Sequence, residues 1–366
     1  MRIGLDYRPA AGYGNSGIGR QALALEAALR AHPEVQLQLF GVAPEDHPLR
    51  RRVHCPRWGS PLQGVHRLPS RLRFEGGFLP GALREAGIDI HICNFNMGLP
   101  IGAKPPGMRY VLQLHDLFQL THTNHHGSRL KAKVYRTSDK LSIGHSIKVA
   151  DRIWTPSQYT ADEVVKLFPE AKGKVRVLPN LVSGFVGEPA DITDLNLPPR
   201  YWLAVGTREP RKNIPWLVSA WHAARQRSEH VPELVLVGAR EHLPQPLQQL
   251  PGLHFLSDLT DAQLHAVYQQ AERLWQPSFA EGFGLPVIEA LSVGTSVAVA
   301  SGSALDEITP PDSPRFSPTD SYALTELMLT LATQGPQAPE QMKAWATRYA
   351  DDAYRQRFNE LLEELR

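Results

Sequence analysis

The sequence predicts an α/β protein of two domains, each a parallel sheet flanked by helices. Three observations carry that prediction. Short apolar runs of strand length alternate with segments of helical spacing, the rhythm of strand–helix–strand units. The alternation occurs twice, on either side of a proline-bearing stretch, 179–200, that lacks periodicity and reads as a linker. A chain of 366 residues is also long for one hydrophobic core and fits two of ordinary size.

Arg2–Asp6 is the first strand, and Ile18–Ala31 follows as an amphipathic helix with Ala22, Leu25 and Leu29 on one face. Val35–Val42 alternates as the second strand. Ile88–Cys93, Arg109–Leu114, Arg152–Thr155 and Val175–Leu178 are further short buried strands. Ser157 caps a helix that runs to Phe168. Leu117–Asp139 reads as a long loop, the kind that serves as a lid or an acceptor-binding segment. Its His122, His125 and His126 have no carboxylate or thiolate in the pattern, so no metal site is predicted there.

Beyond the linker the series resumes with strands Tyr201–Gly206, Glu233–Gly238, Leu253–Leu256, Arg273–Gln276 and Thr295–Ala300, with helices between them. Pro339–Leu365 is a final amphipathic helical stretch. The boundaries that follow are a first domain over 1–185, a second over 186–345 and a closing helix over 346–366. Two such halves are expected to face each other across a cleft at the C-terminal ends of their strands, where α/β sheets bind ligands.

An apolar content of 42% with 21% charged residues is that of a soluble globular protein. No apolar run approaches the ~20 residues of a membrane-spanning helix, and Met1–Asp6 reads as a strand and not as a signal peptide. Cys55 and Cys93 are too few for a disulfide framework, so a cytoplasmic protein with reduced thiols is expected. The net charge of +2 hides an asymmetry: residues 1–188 hold 25 Lys and Arg against 15 Asp and Glu, and the remainder holds 14 against 22. A basic half favours an anionic partner, whether a lipid surface, a lipid-linked pyrophosphate or nucleic acid, although a solvated basic face has the same composition.

Three stretches carry chemistry. In 11–20, Gly12, Gly14 and Gly17 spell Gly-x-Gly-x-x-Gly, the dinucleotide fingerprint. The first glycine lies too far beyond Asp6 for that motif, and no acidic residue closes a second strand at the expected distance. What survives is a helix start whose free N–H groups can meet a phosphate, with Gly17 the best candidate. Gly206-Thr-Arg-Glu-Pro-Arg-Lys-Asn213 places Arg208, Arg211 and Lys212 just past a strand, where fixed cations can stabilise a departing diphosphate. The third is Trp275-Gln-Pro-Ser-Phe-Ala-Glu-Gly-Phe-Gly-Leu-Pro-Val-Ile-Glu289-Ala-Leu, a strand, a glycine turn and a helix opened by Pro286. Glu281 falls on the turn and Glu289 in the first helical turn, so the two carboxylates can hold hydroxyl pairs beside an anion-binding helix start.

The run Glu281-Gly-Phe-Gly-Leu-Pro-Val-Ile-Glu289 resembles the Glu-x7-Glu signature of the retaining glycosyltransferases of family 4, which have the GT-B fold of two Rossmann-like domains with parallel sheets facing a central cleft. The resemblance spans nearly the whole chain and is most specific in 203–213 and 275–291. It implies roles residue by residue. Glu281 would hold donor-sugar hydroxyls and Glu289 the ribose hydroxyls. Lys212, with Arg211 or Arg208, would neutralise the diphosphate, and many members carry an arginine where this chain has Thr207. The N–H groups of Phe283, Gly284 and Leu285 would contact sugar or phosphate, and the strand ends at Gly238 and Leu256 the nucleobase. Gly17 and His115, with Asp116 as its neighbour, would complete the site from the first domain. The terminal helix would cross back onto that domain.

No residue reads as a nucleophile, which fits front-face attack with retention. The family implies no metal and no cofactor beyond the nucleotide-sugar donor. Gly-Thr-x-Glu-Pro-Arg-Lys-Asn together with His115-Asp-Leu looks most like bacterial surface-polysaccharide mannosyltransferases, implying GDP-mannose, a glycan or lipid-linked acceptor, no nucleic acid, and work at the inner face of an anionic membrane. A UDP-sugar or another GDP-sugar as donor, or a nucleotide-sugar isomerase on the same fold, are the alternatives.

Overall fold

A computed structural model describes the backbone of residues 1–14, 16–62, 68–121, 129–185 and 187–366, without the side chains of 129–135. His122, His125 and His126 lie outside the described residues. The chain divides into two compact units, Met1–Leu181 with Arg355–Arg366, and Val182–Tyr354.

The first unit is built on strands β1 (Arg2–Asp6), β2 (Gln36–Phe40), β3 (Ile90–Cys93), β4 (Arg109–Gln113), β5 (Arg152–Thr155) and β6 (Val175–Val177). They form one parallel sheet in the order β2-β1-β3-β4-β5-β6. The central strands are covered on both faces, as parallel sheets require, with β3 buried at all its positions, while the edge strands β2 and β6 are only partly buried. Leu25 and Leu29 of the helix Gly17–Ala31 are fully buried, so the predicted apolar face is the one that packs. Gln21 on that helix exchanges two hydrogen bonds with the Leu181 backbone, 2.8 and 2.9 Å, fixing the chain where it leaves the unit.

The second unit holds β7 (Tyr201–Val205), β8 (Glu233–Val237), β9 (Leu253–Leu256), β10 (Arg273–Gln276), β11 (Ser296–Ala300) and the short β12 (Arg315–Phe316). This sheet too is wholly parallel, in the order β12-β11-β10-β7-β8-β9. Trp202 and Trp275, on neighbouring strands, pack at 5.0 Å between ring centres inside its core.

Three sequence expectations are corrected. The stretch read as a loop from Leu117 to Asp139 contains a short helix, Phe118–Thr121, and the first half of a long one, Arg129–Val149. The predicted helix Pro339–Leu365 is two, Pro339–Ala346 and Asp351–Glu363, separated by a 3-10 turn and an extended Ala350. Glu289 is the fifth residue of the helix Leu285–Ser292, so it lies one turn beyond the helix start, in the second turn. The end of the chain does return to the first unit: Phe358 meets Trp154 edge-on at 6.0 Å, and Arg357 Nε donates to the Val177 carbonyl at 3.0 Å.

Candidate functional site

In the second unit the loop after β7 and the loop after β10 meet. Phe279 N–H donates to the Arg211 carbonyl at 2.9 Å, which ties the two loops together by backbone. Lys212 reaches inward because residue 206 is glycine; an added Cβ there would lie 3.2 Å from the lysine stem. Both side chains converge on Glu281. Arg211 donates to Glu281 Oε2 at 2.6 Å and to the Ala280 carbonyl at 3.1 Å, and Lys212 Nζ lies 3.4 Å from Oε1.

Two further donors hold the same carboxylate: Ser278 Oγ at 2.8 Å and Gln276 Nε2 at 3.0 Å, both on Oε1. Glu281 is 5% exposed. Burial alone would raise its pKa, but Lys212 and Arg211, aided by the Ser278 and Arg211 hydrogen bonds, outweigh it and hold the group down at about 2. The result is a buried carboxylate of fixed charge and geometry between two cations. Ser278 and Gln276 were not singled out from sequence, where they read only as the end of a strand; the signal was that polar residues closed a buried strand just ahead of a carboxylate.

Gly284 caps the helix Leu285–Ser292 with φ of 109°, and a Cβ there would stand 2.6 Å from Leu305. Phe283 turns into the core against Tyr349, which leaves its backbone N–H for a ligand, and the partly buried Leu285 packs on the same cluster. Glu289 is also buried and accepts from Tyr268 Oη at 3.0 Å. Gly238, with φ of 147°, backs onto Thr207: a Cβ would come within 2.3 Å of Thr207 Oγ1. That hydroxyl lies 3.0 Å from the Ala239 carbonyl and 3.1 Å from His242 Nδ1. Gly238 N–H donates to the carbonyl of Leu256, whose side chain is core. Arg208 is exposed and is not brought to Glu281.

In the first unit His115 follows β4 and is buried. Its Nε2 lies 2.8 Å from Asn94 Oδ1, and its N–H donates to Asn96 Oδ1 at 2.8 Å. A carbonyl oxygen only accepts, so in this arrangement Nε2 carries the proton and Nδ1 is the acceptor. Burial lowers the imidazole pKa to about 4, which keeps it neutral near pH 7. The ring is held by Asn94, while Asp116 Oδ1 takes the Asn96 amide at 3.3 Å and the Phe118 N–H at 3.2 Å. Asn94 and Asn96 carried no motif signal. Gly17 opens its helix behind Ser16, whose hydroxyl accepts from Gly19 N–H at 3.1 Å.

Among the described residues, no group of His, Cys, Asp and Glu could hold a metal ion, and no helix is long and apolar enough to cross a membrane.

Two family models match the chain. One, described as Glycosyltransferase Family 4, covers residues 15–183, and the other, Glycosyl transferases group 1, covers 199–334. The O-antigen chain mannosyltransferase B of Escherichia coli is 28% identical over 213 residues, 53% of this chain and 56% of that protein. The O-antigen chain mannosyltransferase RfbU of Salmonella typhimurium is 25% identical over 229 residues, 60% of this chain and 61% of its own. The match thus spans little more than half the length of these curated relatives. Among solved structures, sucrose-phosphate synthase of Thermosynechococcus elongatus superposes over 100% of this chain and 99% of its own, with a TM-score of 0.72 at 18% identity.

Proposed function

Because the chain belongs to family 4 of the glycosyltransferases and has their GT-B fold, we propose that it transfers mannose from GDP-mannose onto a glycan or lipid-linked oligosaccharide of a surface polysaccharide. The observation that carries this reading is the Arg211–Glu281–Lys212 cluster. It joins two cations for a diphosphate to a carboxylate kept ionised for sugar hydroxyls. The mannosyltransferase names of the two relatives support mannose as the sugar.

In the proposed reaction the acceptor hydroxyl oxygen bonds to the anomeric carbon from the face that the diphosphate leaves. The carbon–oxygen bond to the β-phosphate breaks, its electron pair stays on the phosphate, and the acceptor proton passes to that oxygen. Configuration is retained. Lys212 and Arg211 stabilise the charge gathering on the diphosphate, worth on the order of 10²–10³ in rate for one well-placed donor. Glu281 orients the sugar and offsets positive charge at the anomeric carbon, and Glu289 takes the ribose. His115 serves as a neutral hydrogen-bonding group toward the sugar, and Gly17 offers its backbone to phosphate. The acceptor places the enzyme at the inner face of an anionic membrane, and no metal or nucleic acid takes part.

The test is a melting-temperature panel with GDP, UDP, ADP, CMP and NAD. A ligand at about 100 times its dissociation constant adds roughly 2.7 kcal/mol, a visible shift. GDP is expected to give it. A response to UDP alone removes GDP-mannose, and a response to NAD alone removes glycosyl transfer altogether.

A further inference from the structure

The C-terminal end of the helix Arg129–Val149 carries two adjoining cavities that share Lys148. One, of about 460 Å³, is lined by Lys104, Arg109, Lys148, Arg152 and Lys174, with Asp151 the one carboxylate among its described lining. The local bonds leave positive charge in excess. Lys104 pairs with Asp151 at 2.7 Å, and Arg152 Nε lies 3.5 Å from Glu364, which Arg176 shares. Arg109 donates to the Arg366 carbonyl oxygen at 3.0 Å, and Lys174 to the last helical carbonyls, those of Ile147 and Lys148. Lys148 itself is exposed. Arg109 and Arg152 begin β4 and β5, whereas His115 follows the other end of β4. At ~3.3 Å per residue the basic cavity therefore lies about 20 Å from His115, at the opposite end of the strands.

The second cavity is a groove of about 560 Å³ along the same helix, lined by Leu141, Gly144 and Phe168 together with Arg136, Lys140, His145 and Lys148 and one carboxylate, Glu170. Leu141 is 70% exposed. His145 Nε2 lies 3.1 Å from the Pro100 carbonyl, and the next residue, Ile101, is 37% exposed; Lys104, three residues on, lines the basic cavity. Cations and protruding aliphatic side chains thus share one strip of surface, in which Arg136, Lys140 and Lys148 outnumber the single carboxylate Glu170.

We propose that this strip seats an anionic phospholipid surface, with headgroup phosphates in the basic cavity and Leu141 and Ile101 at the acyl boundary. A free phosphate or nucleotide would use the cations but would leave the exposed aliphatics unexplained, whereas a lipid interface satisfies both. The inference rests on the reading above, that the acceptor is met at a membrane, and supplies the face that meets it.

Co-sedimentation of the full chain with mixed phosphatidylglycerol–phosphatidylcholine vesicles, against phosphatidylcholine alone, tests it. Binding is expected to require phosphatidylglycerol and to weaken with salt. Lys148→Ala should lower it about fivefold, the effect of one cation near an anionic surface, and Leu141→Ser should lower it several-fold, both variants melting as the wild type does. Absence of phosphatidylglycerol-dependent binding overturns the proposal, as do unchanged binding in both variants and full competition by soluble glycerol 3-phosphate, which would mark an anion cavity only. GDP-induced stabilisation, read on the same preparations, separates the two readings: if it persists without vesicle binding only the docking face is lost, and if it is absent the donor assignment fails as well.

Discussion

Glu281 stays ionised although it is buried, because four donors, two of them cations, surround its two oxygens. Its neighbours differ in what their loss should do. Lys212→Ala is expected to lower kcat by on the order of 10²–10³, with a smaller change in KM. Arg211→Ala should match it within about tenfold and also destabilise the fold, since it leaves Glu281 short of a partner in a buried site. Arg208→Ala, on an exposed side chain, should change kcat by less than about tenfold. Steady-state kinetics on the three variants measures this, and a large kcat loss in Arg208→Ala alone would overturn the assignment of the diphosphate to Arg211 and Lys212. At this scale the sequence was informative where a motif fixed residue type and spacing, as at Glu281 and Lys212. It was silent on Asn94, Asn96, Ser278 and Gln276, whose contribution is a hydrogen bond made only once the chain has folded.

Among the elements, the turn that carries Glu281 into the helix Leu285–Ser292 depends on Gly284. Gly284→Ala puts a side chain into the left-handed region and drives its Cβ to within 2.6 Å of Leu305. It should destabilise by about 2–6 kcal/mol, from strain of about 1–3 kcal/mol and overpacking of similar size, read as a lower denaturant midpoint at unchanged slope. Strands and capped helices were legible because their apolar periodicity is strong, as in Gly17–Ala31 and the Ser157-capped Gln158–Leu167. The helix Arg129–Val149 was not. Its apolar positions are sparse among six cations, and the histidines before it pull the composition of the segment toward that of a loop. The break at Ala350 was equally hidden, since the amphipathic pattern continues across it while the backbone turns extended.

For the whole molecule, acid should open the first unit before the second. His91 and His115 are both held neutral by burial, their pKa values lowered from 6.5 to about 4, in His91 against the opposing pull of Asp6. The unfolded chain takes up those protons near pH 6.5, so the stability they represent is complete above that value and lost as pH falls toward 4. Glu281, lowered from 4.5 to about 2, contributes stability that is complete above pH 4.5 and lost only below it. Hydrogen exchange with mass spectrometry at pH 5, with rates corrected for intrinsic exchange, is expected to show lost protection in peptides from 1–181 while those from 182–354 hold. Simultaneous loss in both would contradict it.

The return of Arg355–Arg366 to the first unit has a further meaning for anyone who cuts the chain. Two covalent crossings join the units, so after a single proteolytic nick in 182–200 the N-terminal fragment keeps its hold on the rest only through the packing of 355–366 within the first unit. The second unit is one uninterrupted segment and can be excised as such, whereas a fragment ending at residue 181 lacks Phe358, Leu361 and Leu362, all buried in the intact protein. That fragment is a split protein by construction, and a synthetic tail peptide is its natural complement.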